Sequence, residues 1–159
     1  MNIVLHQPEI PHNTGAIGRT CLVTGAKLHL IRPYGFYLDE KSLKRAGMDY
    51  WGKIDVREYD NFAEFLKAIP EGDGLLPVRE RLHFVETGSA KTYVDIKYGM
   101  DDYIIFGSET AGLPRWIMDE YKDRVVTIPM LGDARSLNLS VAVGVVVYEA
   151  LRQGGFWGG

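Results

Sequence analysis

The sequence predicts an α/β fold with a parallel sheet of five or six strands. Short apolar strands alternate with helical segments along most of the chain. In that order strands pair in parallel and helices cover both faces of the sheet. Two of the strands break off into glycine-bearing polar loops, at Gly107 and before Pro129, and the second loop feeds a long apolar helix.

The elements follow in order. Asn2–His6 (NIVLH) is the first strand. NTGAIGRTCLVTG (13–25) is a helix with Asn13 as its cap and Gly25 as its stop. Lys27–Ile31 (KLHLI) is the second strand. A short helix around DEKSLKRAGM (39–48) precedes a third strand at 53–59, and DNFAEFLKAI (60–69) is a helix capped by Asp60 and ended by Pro70. Further strands lie at 81–86, 102–106 and 124–128, and Pro114 opens a helix after the fifth. One domain covers residues 1–153, and GGFWGG (154–159) reads as a loose tail.

Composition narrows the class without naming a function. A chain of 159 residues, 46% hydrophobic and 25% charged, is an ordinary globular domain with a sizeable core. The single cysteine, Cys21, excludes an internal disulfide and fits a reducing cytoplasm. The opening MNIVLHQPEI lacks the basic and apolar regions of a signal peptide. No apolar stretch reaches the roughly 18 residues of a membrane span. The expectation is therefore a cytoplasmic protein without a membrane partner. A net charge of −3 argues against broad nonspecific nucleic-acid binding but leaves room for a local basic patch.

Three stretches carry chemistry. In the first helix Gly15, Gly18, Leu22 and Gly25 fall on one stripe. An interior helical glycine costs roughly 0.5–1 kcal/mol relative to alanine. The stripe therefore serves either close packing against a strand or access for a ligand or second subunit. Arg19, on the same helix, is either a surface charge or a group near the sheet edge where ligands of α/β proteins collect. GAIG is not G-x-G-x-x-G, and the chain has no G-x-x-x-x-G-K-[ST], so the usual dinucleotide and triphosphate loops are not supported.

DYIIFGSETAGLP (102–114) is the second stretch. It is either a glycine-shaped turn with Glu109 near a helix N-terminus, or a loop whose backbone approaches a ligand at Gly107. The third is VVTIPMLGDARSLNLS (125–140). Ser136, Asn138 or Ser140 can cap the helix that follows, and capping needs one of them, so the surplus marks a site. That helix is apolar on nearly every face, which implies burial all round, most easily with a partner subunit covering part of it. His6, His12, His29 and His83 show no metal-ligand spacing.

Taken together and in order, NTGAIGRT, IIFGSETAGLP and IPMLGDARSLNLSVAVGVVVYEALRQ resemble the three motifs of SPOUT-superfamily RNA methyltransferases. They are most similar to the small bacterial tRNA ribose 2′-O-methyltransferases that act on the wobble nucleotide. IVLHQPEIPHNTG, LIRPYGF and KSLKRAGMDYW extend the likeness over almost the whole chain, while IPEGDGLLPVRERLH is less recognisable. The resemblance implies a parallel-sheet SPOUT fold with a C-terminal trefoil knot, a rare exception to the rule against threading. It implies a homodimer, no metal, and S-adenosyl-L-methionine as cofactor. The cofactor would be held by Val85, Glu86 and Thr87, by Gly107 and Glu109, and by Ile128, Met130, Ser136, Leu137 and Asn138. The resemblance assigns Arg19 to the reaction, with Asn13, Ser140 and Tyr148 as secondary candidates. The substrate would be position 34, cytidine or a modified uridine, in the tRNA anticodon stem-loop. Lys41, Lys44 and Arg45 share one helix face, with Tyr50 and Trp51 downstream for base stacking. The other reading is a noncatalytic nucleotide- or RNA-binding module of the same architecture.

Overall fold

The computed structural model describes residues 1–38, 49–133 and 135–155. The helix expected at 39–48, with Lys41, Lys44 and Arg45, lies outside the described residues, as do residues 156–159 of the tail.

Six strands form one all-parallel sheet: β1 (Asn2–His6), β2 (Lys27–Ile31), β3 (Val56–Tyr59), β4 (Leu82–Val85), β5 (Tyr103–Phe106) and β6 (Val125–Val126). Their order is β3-β2-β1-β5-β4-β6. The central strand β1 pairs on both sides, with Leu5 opposite Leu30 and Phe106. Every residue of β1, β4 and β5 is buried. Strands of that kind are continuous apolar runs because helices cover both faces of the sheet.

Alternation along the strands sorts the core. On one face Ile3, Leu5, Leu28, Leu30, Ile104 and Phe106 meet α1 (Pro11–Thr24) and α4 (Leu139–Gly154), which contribute Ile17, Cys21, Val143, Val146 and Val147. On the other face Val4, Ile31, Phe84 and Ile105 meet α2 (Phe62–Lys67) and α3 (Arg115–Glu120) through Phe62, Phe65 and Ile117. From β1 the chain builds outward through β2 and β3, then crosses to the far half for the other strands. The connections after β1 and β5 therefore run in opposite directions and leave a crevice at the strand ends between them.

Several helix ends differ from the sequence expectation. Asn13 does not cap α1: Pro11 stands at its start, where a missing N–H costs nothing, and Ile10 is the flanking residue. Gly25 does stop α1, in the left-handed conformation at φ 70°. Asn61, not Asp60, caps α2, its side-chain oxygen accepting the Glu64 amide at 3.0 Å. That helix ends at Lys67, short of Pro70. Asn138 caps α4, which runs through Gly154 and into the expected tail before Gly155 closes it. Nor is α4 buried all round. Val143, Val146, Val147, Ala150 and Leu151 face inward, but Val141 and Tyr148 are 50% and 53% exposed.

The stripe on α1 is split for a packing reason. A β-carbon at Gly18 would lie 2.9 Å from both the Trp51 and the Ile54 side chains, so that glycine admits the turn at Trp51–Lys53 and not a strand. Leu22 is 37% exposed. That same turn shortens the third strand to Val56–Tyr59. The unrecognised stretch before β4 is tied down by Arg81, whose buried guanidinium donates to the carbonyls of Leu76 and Pro70.

Candidate active site

A cavity of roughly 580 Å³ opens at the crevice beyond β1 and β5, within the usual range for a small-molecule site. Three loops wall it. The loop after β4 supplies Val85, Glu86 and Thr87, the loop after β5 supplies Gly107 and Glu109, and the loop before α4 supplies Ile128, Met130, Ser136, Leu137 and Asn138. The structure thus brings the ten residues named for cofactor binding to one cavity. Asn13 and Ile10, at the start of α1, complete the rim.

Hydrogen bonds hold the loops in register. The Glu109 carboxylate accepts the backbone amides of Glu9 at 2.7 Å and Ile10 at 3.1 Å, and the Asn13 side-chain amide at 3.1 Å. It therefore serves the N-terminus of α1, not that of the helix that follows it in sequence. Glu9 returns the contact, its carboxylate accepting the Thr110 amide at 2.9 Å and the Thr110 hydroxyl. The oxygen of Asn13 accepts the side-chain N–H of Asn138 at 3.0 Å. The oxygen of Asn138 in turn accepts the amide of Ser140 at 2.9 Å and its hydroxyl at 2.6 Å. One chain of polar groups thus joins all three stretches singled out in the sequence. It also explains the surplus around Asn138: Asn138 caps α4, Ser140 orients Asn138, and Ser136 faces the cavity without a hydrogen-bond partner among the described residues.

Gly107 needs its missing side chain for a reason internal to the protein. A β-carbon there would overlap the backbone of Gly112 and Leu113, which folds back over it. The loop turns on Gly112, at φ +66°, and the Leu113 amide donates to Glu86 at 2.8 Å. A valine at 107 would therefore displace this loop before it met any ligand.

The residues named for catalysis and RNA binding are more dispersed. Asn13 is at the cavity, but Arg19, Ser140 and Tyr148 are not among its lining residues. Arg19 is exposed on α1, about 9 Å along the helix axis from Asn13. Tyr148 is about 15 Å along α4 from Asn138. The two aromatic residues expected to stack on bases are engaged elsewhere. Trp51 packs against Gly18, and the ring of Tyr50 lies 4.5 Å from the Arg19 guanidinium carbon. Sequence reasoning missed Glu9, Ile10 and Thr127, the last two of which line the cavity. Glu9 carries no spacing signal, because its partners lie about a hundred positions away in the sequence.

The buried titratable groups elsewhere are packing groups. His29 bonds Tyr59 at 2.9 Å and Asn2 at 3.2 Å, and burial, with Arg57 nearby, lowers its pKa to about 4. His83 sits 2.6 Å from the Asp102 carboxylate, itself bonded to the Gly99 amide. Burial pushes the Cys21 thiol up to about 12, which keeps it protonated and inert. Among the described residues no three His, Cys, Asp or Glu side chains gather as a metal site, and no helix is long and apolar enough to cross a membrane.

The site is thus a loop-walled cavity at the switch point of a parallel sheet, where α/β proteins collect their ligands. The chain belongs to the SpoU rRNA Methylase family, whose model matches residues 1–148. It is 47% identical over 158 residues to a tRNA (cytidine(34)-2′-O)-methyltransferase of Saccharophagus degradans, covering 99% of this chain and 97% of the relative. A solved structure from work on the 2′-OH methylation of C/U34 on tRNA superimposes with a TM-score of 0.84 at 42% identity, covering 97% of this chain and 95% of that one. An AdoMet-bound rRNA methyltransferase from Sinorhizobium meliloti superimposes with a TM-score of 0.76 at 26% identity, over 95% of this chain and 55% of that one.

Proposed function

We propose that this protein transfers a methyl group from S-adenosyl-L-methionine to the ribose 2′-oxygen of the wobble nucleotide, position 34, in tRNA. The observation that carries this reading is the three-loop cavity closed by Asn13, Glu109 and Asn138, in a chain that matches its methyltransferase relatives over nearly its full length. The residues present fit the cofactor. Val85, Ile128, Leu137 and Phe106 would offer apolar walls, the Glu86 and Glu109 carboxylates would supply negative charge for a cationic ligand, and the Ser136 hydroxyl, without a partner among the described residues, faces the same space. S-adenosyl-L-methionine supplies an electrophilic methyl group when bound.

The chain's own residues hold and orient. Asn13 and Asn138 fix the cavity mouth at the start of α1. Arg19 lies beyond that mouth, so its reach is to the RNA and not to the cofactor. A guanidinium with a pKa above about 12 is no base at neutral pH. Its part is to hold a phosphodiester oxygen next to the reacting hydroxyl, which must come within roughly 3–3.5 Å of the methyl carbon. Lys41, Lys44 and Arg45 are assigned to phosphates of the anticodon stem-loop on their sequence spacing. The exposed apolar positions Val141 and Tyr148 on α4, and Leu22 and Val23 on α1, support a homodimer through these two helices. The segment from Ile128 into α4 is assigned to a trefoil knot by its kinship with SPOUT enzymes, and a cytoplasmic location follows from the tRNA substrate.

The test is transfer of tritiated methyl from S-adenosyl-L-methionine to bulk tRNA followed by nucleoside mapping. Label on the ribose of position 34 is the expected result; binding without transfer, or label at another position, overturns the reading. In single-turnover assays Arg19→Ala slows transfer about 10²–10⁴-fold while cofactor affinity stays unchanged. A loss under about threefold removes Arg19 from the reaction.

A further inference from the structure

Arg19 is an exposed cation that makes no ion pair and no side-chain hydrogen bond among the described residues. A long flexible side chain in that situation samples many rotamers and meets its target only part of the time. One contact restrains it. The Tyr50 ring lies under the guanidinium, 4.5 Å from ring centroid to guanidinium carbon, within the range of an attractive cation–π contact.

Tyr50 is itself fixed to the turn of α1 that carries Arg19. Its hydroxyl donates to the Gly15 carbonyl at 2.6 Å, four residues before Arg19 and thus the carbonyl that α-helical geometry pairs with the Arg19 amide. The next residue, Trp51, is seated over Gly18. Both residues of the Tyr50–Trp51 pair are therefore registered to α1, and the glycine at 18 keeps that side of the helix low enough to admit the Trp51 ring.

We infer that Tyr50 is a positioning residue for the methyl transfer, holding the Arg19 guanidinium flat on its ring so that the cation is presented to a substrate phosphate already oriented. The inference rests on the reading that Arg19 meets the RNA, and it replaces base stacking as the part played by Tyr50. An aromatic face suits the task better than a carboxylate. It restrains the guanidinium without neutralising its charge and leaves the in-plane N–H groups free for a bidentate contact with a phosphodiester.

The experiment compares Tyr50→Leu, Tyr50→Phe, Arg19→Ala and the double variant Tyr50→Leu/Arg19→Ala. Single-turnover methyl transfer, cofactor Kd by calorimetry and thermal midpoints are measured for each. Tyr50→Leu, which keeps an apolar side chain but loses the π face and the hydroxyl bond to Gly15, lowers the single-turnover rate about tenfold or more, as misplacement of a reacting group does. Its cofactor Kd stays at the wild-type value. Tyr50→Phe keeps the face and retains most of the rate. Adding Tyr50→Leu to Arg19→Ala brings no further loss, because the residue acts through Arg19. A purely structural role predicts additive losses and a raised cofactor Kd, and either result overturns the inference. A wild-type rate in Tyr50→Leu beside a slow Arg19→Ala overturns it while leaving the role of Arg19 intact. A wild-type rate in Arg19→Ala removes both. Proton NMR of the unmodified protein gives a check independent of folding in the variants. The Arg19 side-chain protons show an upfield ring-current shift, and its absence also overturns the inference.

Discussion

His29 lies on the sheet among Tyr59, Phe65 and Tyr103, with both ring nitrogens bonded. Desolvation there disfavours the imidazolium, so the pKa falls from 6.5 to about 4. The unfolded chain takes up the proton first as pH drops, and stability rises with pH across that window. Acidification from about pH 6.5 toward pH 4 therefore costs roughly 3 kcal/mol from this one group. His6, also lowered by burial, adds in the same direction. Denaturant unfolding at pH 7 and pH 4.5 will show a smaller loss of stability in His29→Gln than in the unmodified protein; equal losses contradict the assignment. At this scale a sequence conveys residue type but not neighbours. Asn13 has the composition of a cap and the position of a helix start, yet Pro11 takes that place and frees Asn13 to bridge Glu109 and Asn138. Gly107 was legible as a close approach, but the approaching group is the protein's own backbone at Gly112.

Among the elements, β1, β2 and the last helix were legible because each is a mostly apolar run bounded by a residue that ends it. The third and sixth strands are shorter than the expected ranges 53–59 and 124–128. A turn at Trp51–Lys53 consumes the start of one, and beyond Val126 the backbone of Thr127 pairs with the loop at Lys91 and Tyr93 instead of β4. The ten cavity residues were reached through the resemblance, and the polar surplus around Asn138 pointed to the same place independently. The cap of α4 has two separable duties. The oxygen of Asn138 closes the helix start, and its nitrogen donates to Asn13. Asn138→Asp keeps the first and loses the second. Its thermal midpoint will stay near the wild-type value while cofactor Kd rises about tenfold, the scale of one lost hydrogen bond in a site. Asn138→Ala loses both, and stability falls by about 1 kcal/mol as well. Calorimetry and thermal denaturation of the two variants separate these duties, and an unchanged Kd in Asn138→Asp removes the link from the site.

For the whole molecule, the apolar positions left on the outer side of α1 and α4 have a direct physical outcome. Val23 is 62% exposed and Val141 50%, on neighbouring helices that would share one interface. Sedimentation at micromolar concentration will give twice the chain mass of 17.9 kDa, and Val141→Asp will shift the protein toward the monomer by burying a charge there. A monomer in the unmodified protein contradicts the dimer. The sequence expectation joined burial of this helix on every side to a partner subunit covering part of it, and within one chain Val141 and Tyr148 are left exposed.

The bond between Asn13 and Asn138 spans 125 positions, whereas every strand among the described residues is complete by Val126. Protein synthesis runs from the N-terminus, and segments begin to fold as they emerge. Synthesis thus delivers the described strands before the third wall of the cavity. A chain that stops short of Asn138 lacks both the third wall of the cavity and α4, whose Val143, Val146 and Val147 close one face of the sheet. One C-terminal segment therefore finishes the core and the cavity together.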